Sequence, residues 1–567
     1  MHSLRRWRFI ALLLLAFSLP FELDRPLLTV GPLAITNVEV LLALTIALTA
    51  LTVVRRPWQL LWPPRYWLWL IFFAGGLLVS TVFAPMHQLN ALKASLRLLT
   101  GILLALTTLP IVQSRRQSYA VAGALLGGGI AAAAIGFAET LTGTEFAWLS
   151  WWRGKVTVAG PFIRLTGPFD YANQTAMFIE ATLPLLLAFI WWVVYRSWPR
   201  SWRMTVAVGL GLVFLGYLQA SFLTFSRASF ATLFLVSGGM GVWCYYRQPP
   251  GRQQQGRWWL GFAAATLIGV GLNSIINSGF RLRLQTATQE EWYRASFVVP
   301  DHLEMKANET TSVTLTLANE GSLVWRSDGL PPIILAARWV NPVNQQQFGQ
   351  LRWPLPHPLN PGQLVTLTVP VKAPANAGPY ELHWDLVQEN VTWFSYQSGL
   401  VVVTKVEVSS GTAEAPAVVV GSPAWEYPAP IPDRQTLWRL AGQLWWERPL
   451  TGIGLDNFRL IYGERLSLKN WNTTIHTNNW YIEILVTTGL VGAMPFFIWL
   501  ACLVIDIGQQ TRRPGITMWQ VALAAAILTF LVHGLLDFFL LFSATGLLFW
   551  LLIGLWVREK QQYASWL

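Results

Sequence analysis

The chain has 567 residues, 53% of them hydrophobic and only 12% charged, with a formal net charge of +12 and two cysteines. The apolar share exceeds what a soluble core uses and matches a chain that crosses a membrane many times. The basic excess sits in short loops between apolar runs, which excludes a nucleic-acid surface as its meaning, and two isolated cysteines exclude a disulfide framework.

A span needs about 20 mostly apolar residues. About twelve such runs can be placed, centred on 9–23, 34–54, 66–83, 91–111, 119–140, 173–195, 204–223, 228–246, 258–277, 479–505, 517–536 and 540–557. Basic residues fill every second loop: Arg5, Arg6 and Arg8; Arg55, Arg56 and Arg65; Arg115 and Arg116; Arg196, Arg200 and Arg203; Arg247, Arg252 and Arg257; Arg512 and Arg513; Arg558 and Lys560. Lys and Arg in short loops stay on the cytoplasmic side, so both termini are expected inside. The first run lacks a small-residue cleavage site and is read as a retained span.

The remaining loops then face outward, and two are long: 142–170 and 278–475. Tryptophan pairs such as Trp151-Trp152 and Trp191-Trp192 fall at expected interfaces, where an amphipathic ring suits the boundary between acyl chains and water. Cys244 and Cys502 lie near cytoplasmic ends of spans and read as small packing residues.

Inside the large loop the texture changes. From Ser312 the chain alternates polar and apolar residues up to a turn at Asn319-Glu320-Gly321, as a half-buried strand does. Further strand-like runs are Ile333–Trp339, Leu364–Val371, Tyr380–Glu389 and Leu400–Val408, separated by turns at Asn360-Pro361-Gly362 and Ala377-Gly378-Pro379. Strands of this spacing predict a β-sandwich over 298–408, and the segment resembles an Ig-like sandwich. Its role is open between a spacer and a module that binds a glycan or partner. Residues 409–430, rich in Ala, Pro, Val and Ser, read as a linker back to the membrane. The organisation expected is therefore helices over 1–297, the sandwich, the linker, an outward loop with an amphipathic helix over 431–478, and helices over 479–567.

Polar motifs collect in the outward loops. They are Arg164-Leu165-Thr166-Gly167-Pro168-Phe169 leading to Asn173; Thr224-Phe225-Ser226-Arg227; Arg434 four residues before Trp438; Pro449-Leu450-Thr451-Gly452-Ile453-Gly454 with Asn457 and Phe458; and His476-Thr477-Asn478-Asn479 before a span containing Glu483 and Thr488-Gly489-Leu490-Val491-Gly492. On these motifs, in this order, the chain resembles the O-antigen ligase and O-antigen polymerase family of membrane glycosyltransferases. It departs from the family pattern at Asp170-Tyr171-Ala172 and at Ala228.

The resemblance implies a polytopic α-helical, GT-C-like membrane protein of about twelve spans with the sandwich inserted in its outward loop. It implies transfer of a glycan from undecaprenyl pyrophosphate to an acceptor hydroxyl on the outer face of the cytoplasmic (inner) membrane, with membrane lipids as surroundings and no nucleic-acid partner. The acceptor, a lipid, glycan or protein, is left open, so ligase, polymerase and protein O-oligosaccharyltransferase stay side by side. Arg227, Arg434 and Arg164 are expected to hold the pyrophosphate, since a guanidinium offers a bidentate fork and keeps its charge near lipid. Arg439 and Arg281 are possible substitutes. His476 is expected to act as general base, which the family's histidine position implies and imidazole chemistry permits. Ser226, Asn173, Asn478 and Asn479 support the site. No Asp-x-Asp pair or metal-ligand spacing occurs in the outward loops, so an inverting, metal-independent displacement without cofactor is expected. His533 and Asp537, four apart, are read as a structural pair on one helix face. An anion transporter of bicarbonate type is the alternative from another class; it would place polar groups near the midplane.

Overall fold

The computed structural model describes residues 2–30, 33–55, 63–154, 156–160, 162–247, 253–285, 290–328, 332–343, 346–389, 391–398, 401–410, 432–468, 471–513 and 515–564. The expected linker therefore falls almost wholly outside the described residues. In chain order come α1 (His2–Ser18), a small hairpin of β1 (Leu28–Val30) and β2 (Leu33–Ile35), α2 (Asn37–Arg55), α3 (Leu68–Val82), α4 (Gln88–Ile111) and α5 (Arg115–Thr142). A second hairpin, β3 (Val158–Ala159) and β4 (Phe162–Ile163), precedes α6 (Ala172–Val194), α7 (Arg200–Leu223), α8 (Arg227–Arg247), α9 (Gln254–Ile276) and the short α10 (Ser278–Gln285).

The β-rich unit follows. One sheet has the order β10 (Leu364–Lys372), β7 (Thr310–Asn319), β5 (Ala295–Val298). The other has the order β6 (His302–Lys306), β13 (Val402–Ser409), β11 (Gly378–Gln388), β8 (Ile333–Val340), β9 (Gln347–Pro354), with β12 (Thr392–Trp393) on β11 and the short α11 (Phe394–Ser398) after it. All pairings are antiparallel except β6 with β13. The alternation read in the sequence is the burial pattern: Val313, Leu315 and Leu317 point inward with Val365, Val369 and Val371, against Leu335, Leu382, Trp384 and Leu386. Trp339 Nε1 donates to the Lys372 carbonyl at 3.2 Å, tying the two sheets together.

The chain then forms α12 (Arg434–Glu447), α13 (Phe458–Arg465), α14 (Trp480–Thr511), α15 (Met518–His533) and α16 (Ser543–Ala564). Among the described residues nine helices, α2 to α9 and α14, are long and apolar enough to cross a membrane. By that measure the protein is membrane-embedded. The other three expected spans are also helical. α1 has 17 residues and α15 has 16, both short of a full crossing, and the 22-residue α16 carries Arg558, Glu559 and Lys560 before its last turn. Large apolar side chains stay exposed on the bundle, such as Ile71 and Phe72 on α3 and Ile268 and Leu272 on α9, a surface that needs hydrocarbon around it.

Helix pairs approach closely where small residues allow it. A Cβ on Gly76 of α3 would lie 2.6 Å from Gly492 Cα of α14, and one on Gly554 of α16 would lie 2.9 Å from the Ala105 carbonyl oxygen of α4. Without a hydrophobic drive between helices in lipid, such backbone contact is a main source of association. Among the described residues, Arg8, Arg115 and Arg558 of the basic loops meet at one end of the bundle, where Arg8 donates to the Pro110 carbonyl at 2.8 Å. There Arg115 pairs with Glu559 at 2.5 Å and Arg558 caps the Val112 carbonyl at 2.6 Å. The polar motifs gather at the other end.

Candidate active site

The site is built on a broken helix. Gly489 in α14 has φ +58° and ψ −170°, so the helical ladder opens there. The Pro449-to-Gly454 loop fills the gap: Ile453 N and Gly454 N donate to the Val486 and Thr487 carbonyls at 3.1 and 2.9 Å, and Leu490 N and Val491 N donate to the Pro449 and Leu450 carbonyls at 2.8 and 3.0 Å. The fit leaves no room for a side chain, since a Cβ on Gly489 would sit 2.3 Å from the Leu450 oxygen and one on Gly452 2.5 Å from the Thr487 backbone. The glycine spacing of both motifs is thus the price of one close backbone crossing. It delivers Asp456 (φ +67°) and Asn457 to the bundle end.

His476 is buried between two carboxylates. Its Nδ1 faces Glu483 Oε1 at 3.5 Å and its Nε2 faces Asp456 Oδ1 at 3.8 Å. Glu483 Oε2 accepts the Thr477 N–H at 2.9 Å, which fixes the carboxylate in the first turn of α14. Asp456 takes Arg459 in a bidentate fork, Nε at 2.8 Å and Nη2 at 2.7 Å, and Asn90 of α4 donates to its Oδ2 at 3.2 Å. The ring rests on Phe538 and Phe542. Burial disfavours the charged imidazole, but the hydrogen bond and charge of Glu483, then Asp456, outweigh burial and the opposing Arg459, and the net displacement is upward. Two asparagines shape the loop: Asn478 takes the left-handed φ of +51°, and Asn479 caps α14 by accepting the Ile482 N–H while donating to the Leu535 carbonyl.

α12 is amphipathic, burying Leu437, Leu440, Ala441 and Leu444. Trp438 Nε1 donates to the Thr477 carbonyl at 2.8 Å, so this helix is anchored to the histidine loop one turn after Arg434. That is the physical content of the Arg-x-x-x-Trp spacing.

Arginines converge beside this centre. Arg164 leaves β4, donating from Nε to the Thr224 carbonyl at 2.6 Å and from Nη2 to Asn173 Oδ1 at 2.8 Å; Asn173 in turn donates to Asp537 at 2.9 Å. The loop under it is held by a buried Arg153–Glu139 pair at 2.6 Å. Phe225, at φ +51°, turns the chain so that Ser226 is buried and Arg227 opens α8. Burial, then repulsion from the Arg283 guanidinium, pushes Arg164 down to about 9 against the pull of Asp537. Burial, then Arg227 and Arg434, pushes Arg283 down to about 10. Arg434 is exposed at the start of α12, yet the protein around its guanidinium and the nearby Arg227 also lower it, with Asp537 opposing. A guanidinium keeps its charge at neutral pH, and one carboxylate, Asp537, acts on both Arg164 and Arg434. Such an excess of cations fits an anion of more than one charge.

A groove of about 800 Å³ between α2 and α4 ends on this centre. Leu42, Ile46 and Ala94 line its apolar length, and Asn90, Lys93, Arg97, Asp456 and Arg459 line its polar end. Among the described residues no three His, Cys, Asp or Glu side chains converge as a metal site.

Several sequence expectations need correction. Arg281 is not in the cluster; it is exposed and caps the Ile275 carbonyl at the end of α9. Arg439 is exposed and bonds its own helix at the Gln435 carbonyl. His533 and Asp537 do not share a helix face, because α15 ends at His533 once Trp480 N takes the Gly534 carbonyl. His533 pairs instead with Glu180 of α6 at 3.0 Å. Sequence reading missed the roles of Asp456, Arg459, Glu483 and Arg283. Glu483 and Asp537 carried a usable signal, being carboxylates beside otherwise apolar runs; Asp456 carried none, since its contact with His476 spans 20 residues of irregular chain.

No protein-family model matches the chain, and no curated protein matches it.

Proposed function

We propose that this protein is a membrane glycosyltransferase that moves a glycan from undecaprenyl pyrophosphate to an acceptor hydroxyl, as O-antigen ligases and polymerases do. One observation carries the reading: His476, buried between Glu483 and Asp456, shares one end of an apolar bundle with Arg164, Arg227 and Arg434. In the reaction the acceptor oxygen attacks the anomeric carbon and its proton passes to His476 Nε2. The bond from that carbon to the pyrophosphate oxygen breaks with inversion, and the leaving group keeps the electron pair. The arginines neutralise the pyrophosphate, and Glu483 holds the imidazolium that forms. The groove between α2 and α4 gives an amphiphile a path from lipid to Asp456, the carboxylate that faces His476.

In this reading all twelve expected spans cross or enter the membrane in a GT-C-like arrangement. Both termini are cytoplasmic, and the active site and β unit face outward. The β unit is Ig-like, as its two sheets and the parallel pairing of β6 with β13 support. The test is transfer in vitro from a purified undecaprenyl pyrophosphate glycan, with EDTA present. His476→Ala is expected to lose about 10²- to 10⁴-fold in turnover while still folding; near-normal turnover sinks the assignment, and loss of wild-type activity to EDTA sinks the metal-independent route. Lipid-linked glycans in a deletion strain separate the acceptors: long chains accumulate if a ligase is missing, single repeat units if a polymerase is.

A second reading, an anion carrier, draws on the Glu180–His533 pair sealed inside the bundle and on the break in α14. Bicarbonate flux into liposomes decides it: flux lost in His533→Ala favours the carrier, and transfer without flux favours the transferase.

A further inference from the structure

The β unit is built into the arginine cluster from both sides. On the membrane side, α10 is bolted to the elements that carry Arg164 and Arg227. Phe280 is fully buried among Phe222, Phe225 and Phe230, and a Cβ on Gly279 would lie within 3 Å of both Phe162 and Phe225. On the β side, Trp292 is 1% exposed and belongs to a segment woven into the three-stranded sheet. Ser322 N donates to the Glu291 carbonyl at 2.8 Å, Glu320 N donates to the Arg294 carbonyl at 3.1 Å, and β5 pairs with β7. Tyr293 extends the connection to the second sheet through its hydroxyl on Gln388 at 2.9 Å. A second contact lies at Gly160, beside the hairpin that carries Arg164, where Leu323 of the β unit and Leu282 of α10 close on the same point.

Arg283 stands at this junction. Its guanidinium carbon lies 5.7 Å from the centre of the Trp292 ring, and its Nε is buried without a hydrogen-bond partner. A cation held by an aromatic face, with a donor left unused, is prepared for an anion. A spacer domain has no need of such a contact.

We propose that the β unit forms a wall of the donor site, with Trp292 positioning Arg283 as a further phosphate-binding cation, so that docking of the β unit sets donor affinity. This rests on the donor-site reading above. It assigns the inserted unit a task within the site and not one of reach or recruitment.

The experiment titrates inorganic pyrophosphate into the purified full-length chain in nanodiscs and follows heat and melting temperature. Arg283→Gln is expected to weaken binding by about tenfold or more, the scale of a charge-assisted hydrogen bond, with an unchanged melt. Arg283→Lys is expected to recover part of that loss, because charge returns without the fork. Trp292→Leu is expected to weaken binding by about three- to tenfold, the scale of a cation–π contact. Leu323→Ala, which loosens the Gly160 contact without touching Arg283, is expected to act in the same direction and serves if Trp292→Leu does not fold. Unchanged affinity in Arg283→Gln, or in both Trp292→Leu and Leu323→Ala, overturns the inference. Arg227→Ala is the separate control: if it keeps full affinity, the donor-site reading itself fails, whereas loss there with no effect at Arg283 removes only the role of the β unit.

Discussion

Gly489→Ala tests the frame on which the site is built. The residue sits at φ +58° and ψ −170°, a region essentially reserved for glycine, where an L side chain costs about 1–3 kcal/mol. The new Cβ would also lie 2.3 Å from the Leu450 oxygen and 2.6 Å from Gly452 N, both backbone atoms that cannot rotate away. Relief requires the Pro449-to-Gly454 loop to move off α14, and losing two of its four backbone hydrogen bonds adds about 1–3 kcal/mol. The expected loss is therefore about 2–6 kcal/mol by these two contributions. Because the same loop delivers Asp456 to His476, transfer should fall as well. Equilibrium unfolding in mixed micelles measures the first effect, and the transfer assay the second. Gly442→Ala is the control, since a Cβ there meets nothing within 4 Å and the position is helical; it should gain about 0.5–1 kcal/mol. A Gly489→Ala protein within about 0.5 kcal/mol of wild type, the ordinary scatter of surface changes, would refute the crossing as described.

Other outcomes follow from the same geometry. Because His476 must be neutral to accept a proton and is displaced upward, turnover should fall as pH drops through its raised pKa; Glu483→Gln should move that acidic limb to lower pH, and an unmoved limb would discard the pairing. Stability runs the other way, with the contribution of the His476 pair complete below about 6.5, the unfolded value, and lost as pH rises through the folded one, which unfolding at several pH values reads directly. Arg227→Lys should restore little of the transfer lost in Arg227→Ala, since a point charge lacks the fork; full rescue would contradict bidentate phosphate binding. With Cys244 and Cys502 replaced, an impermeant thiol reagent added outside should label Val343→Cys, in the β unit, and spare Gln113→Cys, at the other end of the bundle; the reverse pattern overturns the outward assignment of the site.

Much of the architecture was legible because burial leaves a local period. β7, β10 and β13 coincide with alternating runs because each has one face on the shared core, while β8 and β11, buried on both faces along most of their length, coincide with strand-like apolar runs. β6 and β9 were not visible. β6 alternates in burial but is only five residues long, too short for its period to stand out, and β9 contains Gly349 at φ +62° and a register shift opposite Arg338 and Trp339, which breaks the two-residue period. The helices were legible for the same reason, while the length of α15 was not, because its end is decided by Trp480 N capturing a carbonyl from another helix.

Composition and apolar period alone determined that the chain is a bundle of membrane-length helices with a β unit between α9 and α14, since hydrocarbon and core burial act residue by residue along the chain. The motifs that resemble those of O-antigen ligases and polymerases, and not the apolar period, singled out His476, Arg164, Arg227 and Arg434 among the polar groups of the outward loops. Only the tertiary structure decided that these residues meet, and with whom. Arg283 joins Arg164 and Arg227 because three phenylalanines hold α10 against their loops, and Asp456 reaches His476 because two glycine motifs far apart in sequence cross without side chains. Contacts of that kind depend on which helix ends share one face of the bundle, a long-range packing outcome that no local period encodes.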